Sequence, residues 1–322
     1  FVGISLAIML VALILSLCMV LSFVPVSAFA AGTGTAATAP AGISGATEPF
    51  PLSLMTQQGN SGGHFRIPAM VTLDNGTLVA AADVRWQTWD SQDDNGNIDT
   101  VVSYSKNNGD TWEVTFGNYF TCSTPFAENW GSPTIIDPGM VTDGEKVYMI
   151  ADLFPAGVST MANGYASQAG SGGFNAAGKL MLRDLVGDTY RHGNSNEKAA
   201  YLSMATSRSY EFYLDPNADG SYTIRREADD GAIAGYTVDA FFNIRSADGS
   251  VDTNLFMADS PYQVYPTNYL YLTTSADGLQ WSAPELIVAK QASETALLIG
   301  PGSGTYDAVH GNMVFTAYSY SG

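Results

Sequence analysis

The sequence predicts an all-β protein assembled from many short strands. Short apolar runs alternate with turn-forming clusters, and the apolar spacing typical of helices is almost absent. The clearest runs are residues 77–82, 98–105, 146–151 and 269–273. Turns such as Asp74-Asn75-Gly76 and Thr142-Asp143-Gly144 separate them. This pattern is typical of a β-sandwich, a barrel or a propeller.

The N-terminal segment has the pattern of a secretory signal. Residues 2–24 are almost continuously apolar, and Ser27-Ala28-Phe29-Ala30 follows them as an Ala-x-Ala cleavage signal. We interpret residues 1–30 as a signal peptide whose start is missing. The alternative is a membrane anchor, since about twenty apolar residues can span a bilayer. Residues 31–48 are expected to be a disordered leader, and the protein to be secreted or held at the cell surface.

Charge and cysteine content exclude several kinds of partner and site. A net charge of −18 argues against nucleic acid, which requires a basic face. After signal cleavage only Cys122 remains, and we interpret it as a small buried hydrophobic residue. His192 and His310 have no partner at metal-ligand spacing, so neither a metal site nor a cofactor is predicted.

Two arginines are expected to lie side by side. One belongs to His64-Phe65-Arg66-Ile67-Pro68, and the other, nineteen residues later, to Asp83-Val84-Arg85-Trp86. The intervening residues read as strand, turn and strand, and a tight hairpin brings its two ends together. Neighbouring guanidinium groups need an anionic or hydroxyl-rich partner, and arginine binds a carboxylate through two parallel hydrogen bonds.

An acidic loop follows the second arginine. It carries Asp90, Asp93 and Asp94. Flanking by Trp86 and Trp89 would desolvate Asp90 and raise its pKa, as a general acid at neutral pH requires. The alternative interpretation is that all three are solvated loop carboxylates.

These motifs, together with two tryptophan-containing turns, resemble the bacterial sialidase (neuraminidase) family. Residues 105–112, Ser-Lys-Asn-Asn-Gly-Asp-Thr-Trp, match the family's Asp-box with Asn107 at the acidic position. Residues 275–281 form a poorer copy that is one residue shorter. The resemblance implies a six-bladed β-propeller, in which Asp-boxes are structural turns between the strands of a blade and lie away from the site.

The long interval between the two Asp-box copies indicates an insertion. Strand-like segments occupy residues 210–214, 222–226 and 236–244, after a Gly/Ala/Ser-rich stretch at 161–173. An inserted β-rich module resembles the sialidase branch that includes intramolecular trans-sialidases. We predict first blades over residues 49–155, the inserted module over 156–252, and a truncated continuation of the propeller over 253–322.

The resemblance also implies roles for individual residues. Arg66 would bind the sialic acid carboxylate, and Arg85 and Asp137 would hold the O4 side of the sugar. For Asp137, the alternative is a structural turn before Pro138.

An aspartate shortly after the second arginine acts as the acid in the family. Asp90 is favoured here. Counting back from Asn97-Ile98-Asp99 selects Asp93 instead, and Asp94 is the third choice. The family's nucleophilic tyrosine, its glutamate and two further arginines come later, so the chain is expected to be a fragment with little turnover alone.

The predicted function is therefore a secreted exo-α-sialidase that cleaves terminal sialic acids from glycoconjugates. Either water or a hydroxyl of the sugar itself, as in intramolecular trans-sialylation, would complete the reaction. Sialylated glycans are the expected partners, no metal is required, and a region beyond residue 322 could attach the protein to the cell surface. The alternative function is a non-catalytic Asp-box propeller that binds glycans or acts as an adhesive surface protein.

Overall fold

The computed structural model describes residues 41–56, 63–86, 98–118, 131–159, 165–166, 170–185 and 209–320. These residues are almost entirely β, with one short helix, α1(Ser53–Thr56). Within the described ranges, no helix is long and apolar enough to cross a membrane. The predicted signal peptide (1–30), Cys122 and His192 lie outside the described residues.

The strands follow the predicted pattern of short apolar segments joined by turns. In chain order they are β1(Ile43–Ala46), β2(His64–Thr72), β3(Leu78–Arg85), β4(Ile98–Ser105), β5(Trp112–Asn118), β6(Thr134–Thr142), β7(Val147–Phe154), β8(Val158–Ser159), β9(Tyr165–Ala166), β10(Met181–Asp184), β11(Phe212–Pro216), β12(Tyr222–Arg226), β13(Tyr236–Val238), β14(Asn243–Ser246), β15(Asp252–Asn254), β16(Tyr262–Val264), β17(Tyr269–Ser275), β18(Glu285–Ile287), β19(Ala296–Ile299), β20(Gly302–Ser303), β21(Thr305–Asp307), β22(Asn312–Val314) and β23(Ala317–Tyr320).

Strands β2 to β5 pair antiparallel and are here named blade one, with β1 added at its outer edge. The hairpin predicted around Asp74-Asn75-Gly76 joins β2 to β3, with Gly76 at φ 83° as such a turn requires. One face of blade one packs Val84, Trp86 and Phe116 into a hydrophobic cluster that α1 covers. That burial leaves the opposite face of β3 turned toward the next blade.

Part of the expected disordered leader is ordered, which corrects that prediction. Residues 43–46 form β1 and pair with β5, from Ile43↔Val114 to Ala46↔Trp112. The Ser44 hydroxyl donates to the Glu113 carboxylate at 2.9 Å. A composition rich in small residues indicated disorder, but small residues also allow a chain to lie closely against a sheet edge.

Strands β6, β7, β17 and β18 pair antiparallel and are named blade two; a parallel bridge, Ile98↔Thr134, joins β6 to β4, so both blades belong to one ten-stranded sheet. Strand β17 pairs with β7 along its whole length, although more than a hundred residues separate them in the chain. The intervening strands β10 to β16 form a separate, seven-stranded antiparallel sheet, the insert sheet. Its strands extend to Val264, beyond the predicted module end at 252. The domain limits given above, 49–155, 156–252 and 253–322, stay predictions.

The insert sheet and blade two share one hydrophobic core. Leu153 and Tyr271 of blade two belong to the same buried cluster as Leu182 and Ile224 of the insert sheet. Phe256 closes this core, because its ring packs edge-to-face on both Phe242 and Tyr269, at centroid distances of 5.6 and 5.5 Å.

The all-β prediction is confirmed, whereas the six-bladed ring remains a prediction. The described residues provide blades one and two, together with the β19–β23 and β21–β22 pairs that follow them. The inner strand β6 lies beside β2 and pairs in parallel with β20, through Gly302↔Gly139.

The two Asp-box-like segments form turns between neighbouring strands. Between β4 and β5, the Asn107 side-chain oxygen accepts the Thr111 backbone N–H at 3.0 Å. Between β17 and β18, Asp277 accepts the N–H groups of Leu279 and Gln280, each at 2.8 Å. The ring of Trp281 packs against a hydrophobic cluster formed by residues of both blades, so the second turn connects blade one with blade two.

Candidate functional site

The β2–β3 pairing places the two predicted arginines on one face of blade one. Arg66 lies directly opposite Asp83, and His64 lies opposite Arg85. Because side chains alternate along a strand, Asp83 and Arg85 share a face, and Arg66 across the ladder shares it too. The predicted adjacency of Arg66 and Arg85 is therefore present in the strand register.

Arg85 is enclosed, although both arginines were expected to face an anionic or hydroxyl-rich partner. Its side chain is 3% exposed, and its Nη2 donates to Oδ2 of the fully buried Asp83 at 2.9 Å. The cause is local: Asp83 precedes Arg85 by two residues on the same strand, so both side chains enter the interface with blade two. Arg66 is only partly buried. The two arginines are therefore neighbours with unequal access to a ligand.

Asp137 approaches the same cluster from blade two. Its backbone N–H donates to Oδ1 of Asp83 at 3.0 Å, and its side chain is partly exposed. It lies in an irregular part of β6, between Ile136 and Gly139, and has φ 62°. Ile67 occupies the matching irregularity of β2 with φ 55°. Left-handed backbone in non-glycine residues is strained and concentrates at functional sites.

The Asp83 carboxyl has a strongly shifted protonation equilibrium. Burial raises its pKa to about 7, with the Arg85 charge opposing the rise and the Asp137 charge adding to it. A carboxyl with such a pKa changes charge within the physiological range.

A row of polar residues extends from this cluster across blade one. In the strand register, Asp83 lies opposite Thr100 on β4, and Thr100 lies opposite Asn118 on β5. Both are buried, and neither Thr100 Oγ1 nor Asn118 Nδ2 has a hydrogen-bond partner among the described residues. Buried polar groups in such a row are unusual for a sheet interior.

The candidate acids Asp90, Asp93 and Asp94 lie outside the described residues. Their loop leaves β3 at Arg85 and enters β4 at Ile98, so both its ends are fixed beside the cluster. Trp86 does not take the expected part in this loop. Its indole N–H donates to Asp99 at 2.6 Å and its ring stacks on Phe116, on the opposite face of β3 from Arg85. The predicted desolvation of Asp90 by Trp86 is therefore not supported.

Asp83 is the member of the cluster to which the sequence assigned no role. The available signal was its position two residues before Arg85 on a strand, which puts both side chains on one face. Blade two repeats the position: Asp152 lies opposite Ile136, as Asp83 lies opposite Arg66. The Asp152 carboxylate accepts the backbone N–H of Ile299 at 3.1 and 3.2 Å.

Two further features lie away from this cluster. A cavity of about 510 Å³ between the insert sheet and β18 is lined by Phe174, Tyr222 and Glu285, and also by Lys179, which is paired with Asp215 at 2.7 Å. Its walls are mainly apolar. Among the residues that the structure describes, no group of three or more His, Cys, Asp or Glu side chains could hold a metal ion.

Comparison with known proteins gives the same assignment as the motifs. The chain is 28% identical to the anhydrosialidase of Macrobdella decora over 265 residues, which are 75% of this chain and 33% of that protein. It is 26% identical to sialidase B of Streptococcus pneumoniae over 296 residues, 85% of this chain and 41% of that protein. The resemblance to sialidases is confirmed. No protein-family model matches the chain.

Solved structures of sialidases share this fold. The intramolecular trans-sialidase from Ruminococcus gnavus, in complex with oseltamivir carboxylate, superposes with a TM-score of 0.60 at 24% identity. The match covers 82% of this chain and 57% of that one. The chain thus spans 33% to 41% of the sialidase relatives matched by sequence, and 57% of this solved structure.

Proposed function

We propose that the chain is part of an exo-α-sialidase that removes terminal sialic acids from glycoconjugates. The observation that carries the proposal is the cluster of Arg66, Asp83, Arg85 and Asp137. The strand register puts partly exposed Arg66 opposite Asp83, which forms a buried ion pair with Arg85. A hydrogen bond from the Asp137 backbone to Asp83 brings in the neighbouring blade. The sequence relatives are sialidases, which supports the same chemistry.

The unequal exposure of the two arginines fits two different roles. We assign partly buried Arg66 to the substrate carboxylate, which would accept two parallel hydrogen bonds from its guanidinium. Arg85 is too enclosed to donate two parallel hydrogen bonds to a carboxylate. We assign it, with Asp137, to a single hydroxyl on the O4 side of the sugar. Sialic acid carries both groups on one ring.

The acid is assigned to the loop between β3 and β4. Cleavage passes through an oxocarbenium-like transition state, so the leaving oxygen must be protonated. Asp90 is the assigned acid, and Asp93 and then Asp94 are the alternatives. Sialidases use a tyrosine nucleophile, which avoids bringing a carboxylate against the carboxylate on the anomeric carbon of the substrate.

Four finer parts of the proposal concern the reaction course, the overall fold, the location of the protein and its partners. The β-rich insert favours intramolecular trans-sialylation, in which a hydroxyl of the sugar completes the reaction in place of water. A six-bladed ring would complete the fold. We further propose that the protein is secreted or held at the cell surface, as the apolar residues 2–24 and the Ala-x-Ala signal indicate. Sialylated glycans would be its partners.

The test is release of a fluorogenic aglycone from a sialoside by the full-length gene product. We expect turnover, abolished by Asp90→Ala and retained by Asp93→Ala. The reverse pattern would transfer the acid role to Asp93, and full activity of both variants would remove the assignment to either. Mass spectrometry of the released sugar separates the two courses, because the intramolecular product is lighter by one water. Sialoside binding without turnover would favour the glycan-binding alternative.

A further inference from the structure

The Asp83 carboxylate joins two members of the candidate site that belong to different blades. Its Oδ2 accepts from the Arg85 guanidinium at 2.9 Å, and its Oδ1 accepts from the Asp137 backbone N–H at 3.0 Å. Asp83 itself is fully buried. One side chain thus fixes both the direction of the Arg85 guanidinium and the position of the strained Asp137 backbone.

Blade two shows what the same position does when no arginine is present. Asp152 is also fully buried and accepts the Ile299 N–H, so it too joins its sheet to the segment that follows. The residue two positions later is Phe154, where blade one has Arg85. An aspartate at this position therefore joins adjacent segments without an arginine, and the Arg85 contact of Asp83 is an addition specific to blade one.

We propose that Asp83 is a positioning residue that sets the recognition of one sugar hydroxyl by holding the Arg85 side chain and the Asp137 backbone in a fixed relation. The inference rests on the proposed sialidase function and deepens it. In its ionised form the Asp83 carboxyl can accept two donors at once, one on each oxygen, so the comparison is made at pH 8 or above. An asparagine there has a single acceptor oxygen and would place its NH₂ against the second donor, so one of the two contacts must be lost.

The experiment compares Asp83→Asn with its matched control Asp152→Asn in the full-length gene product. The substrates are a fluorogenic sialoside and the analogue that lacks the O4 hydroxyl. We expect the wild-type protein to prefer the complete sugar in kcat/KM by roughly tenfold, as one hydrogen bond to a charged group provides. Asp83→Asn should lose most of this preference, mainly through a higher KM, and Asp152→Asn should keep it.

The outcomes distinguish a failure of the proposed function from a failure of this inference. An inactive wild-type protein would overturn the proposed function and this inference with it. An active wild-type protein whose preference survives in Asp83→Asn, or is lost equally in Asp152→Asn, would overturn the inference alone.

If Asp83→Asn does not fold, Asp83→Ser replaces it. We expect Asp83→Ser to lose the preference as well, and a retained preference in whichever variant is measured would contradict the inference.

Discussion

The Asp83 carboxyl makes the stability of the protein depend on pH in an uncommon direction. Burial raises its pKa from 3.8 to about 7, so between these values the folded protein holds a proton that the unfolded chain has released. The free energy of unfolding therefore falls as pH rises through this window. Relative to Asp83→Asn, we expect the wild-type protein to lose up to about 4 kcal/mol between pH 4 and 8, measured by urea unfolding.

Asp143 provides a control of opposite sign. Burial acts to raise its pKa, but hydrogen bonds from the Lys146 and Glu145 backbones outweigh burial and lower it. Its stabilising contribution is therefore present above the usual pKa and is lost as pH falls below it, which Asp143→Asn should remove.

If the difference between wild type and Asp83→Asn does not change from pH 4 to 8, the assigned protonation of Asp83 is wrong.

Arg66 should contribute to affinity through the shape of its side chain as well as its charge. Lysine retains the charge but cannot form two parallel hydrogen bonds with a carboxylate, so Arg66→Lys should raise the KM for a sialoside by roughly tenfold to a hundredfold. Arg226→Lys is the control, since Arg226 lies on the insert sheet, is partly exposed as Arg66 is, and pairs with Asp229. An unchanged KM in Arg66→Lys would remove Arg66 from carboxylate binding.

At the scale of elements, the turn between β17 and β18 stabilises the contact between blades. Gly278 has φ 76°, and a Cβ there would lie 2.7 Å from Val79 of blade one. Gly76 has φ 83° with open space around it. Gly76→Ala should therefore cost about 1 kcal/mol of backbone strain, and Gly278→Ala an additional 1–3 kcal/mol of steric overlap. Equal thermal shifts would show that this turn is not packed against blade one.

The same elements show what could be read from the sequence. The β2–β3 hairpin and the Asp-box-like turns follow from short-range rules, because Gly and Asn/Asp positions specify the turns locally. Strand register then follows, and with it the adjacency of Arg66 and Arg85. Burial of Arg85 could not be read, because it depends on blade two covering β3. The role of Trp86 was misassigned because its partners Asp99 and Phe116 come from later strands.

For the whole molecule, the shared core predicts that blade two and the insert sheet unfold together. Phe256 is 2% exposed and packs on one aromatic ring from the insert sheet and one from blade two. Phe256→Ala should cost about 3–5 kcal/mol and leave a single unfolding transition. Val309→Ala, at an 85% exposed position, should change stability by less than about 0.5 kcal/mol. Two separate transitions in calorimetry would contradict a common core.

The most direct measurement of the central claim is a crystal structure of the full-length gene product with bound sialic acid. We expect the sugar carboxylate to accept two hydrogen bonds from Arg66, and a ring hydroxyl to lie between Arg85 and Asp137, with the Asp83–Arg85 pair intact. A sugar bound elsewhere, for example in the cavity beside β18, or a carboxylate held without Arg66, would contradict the account.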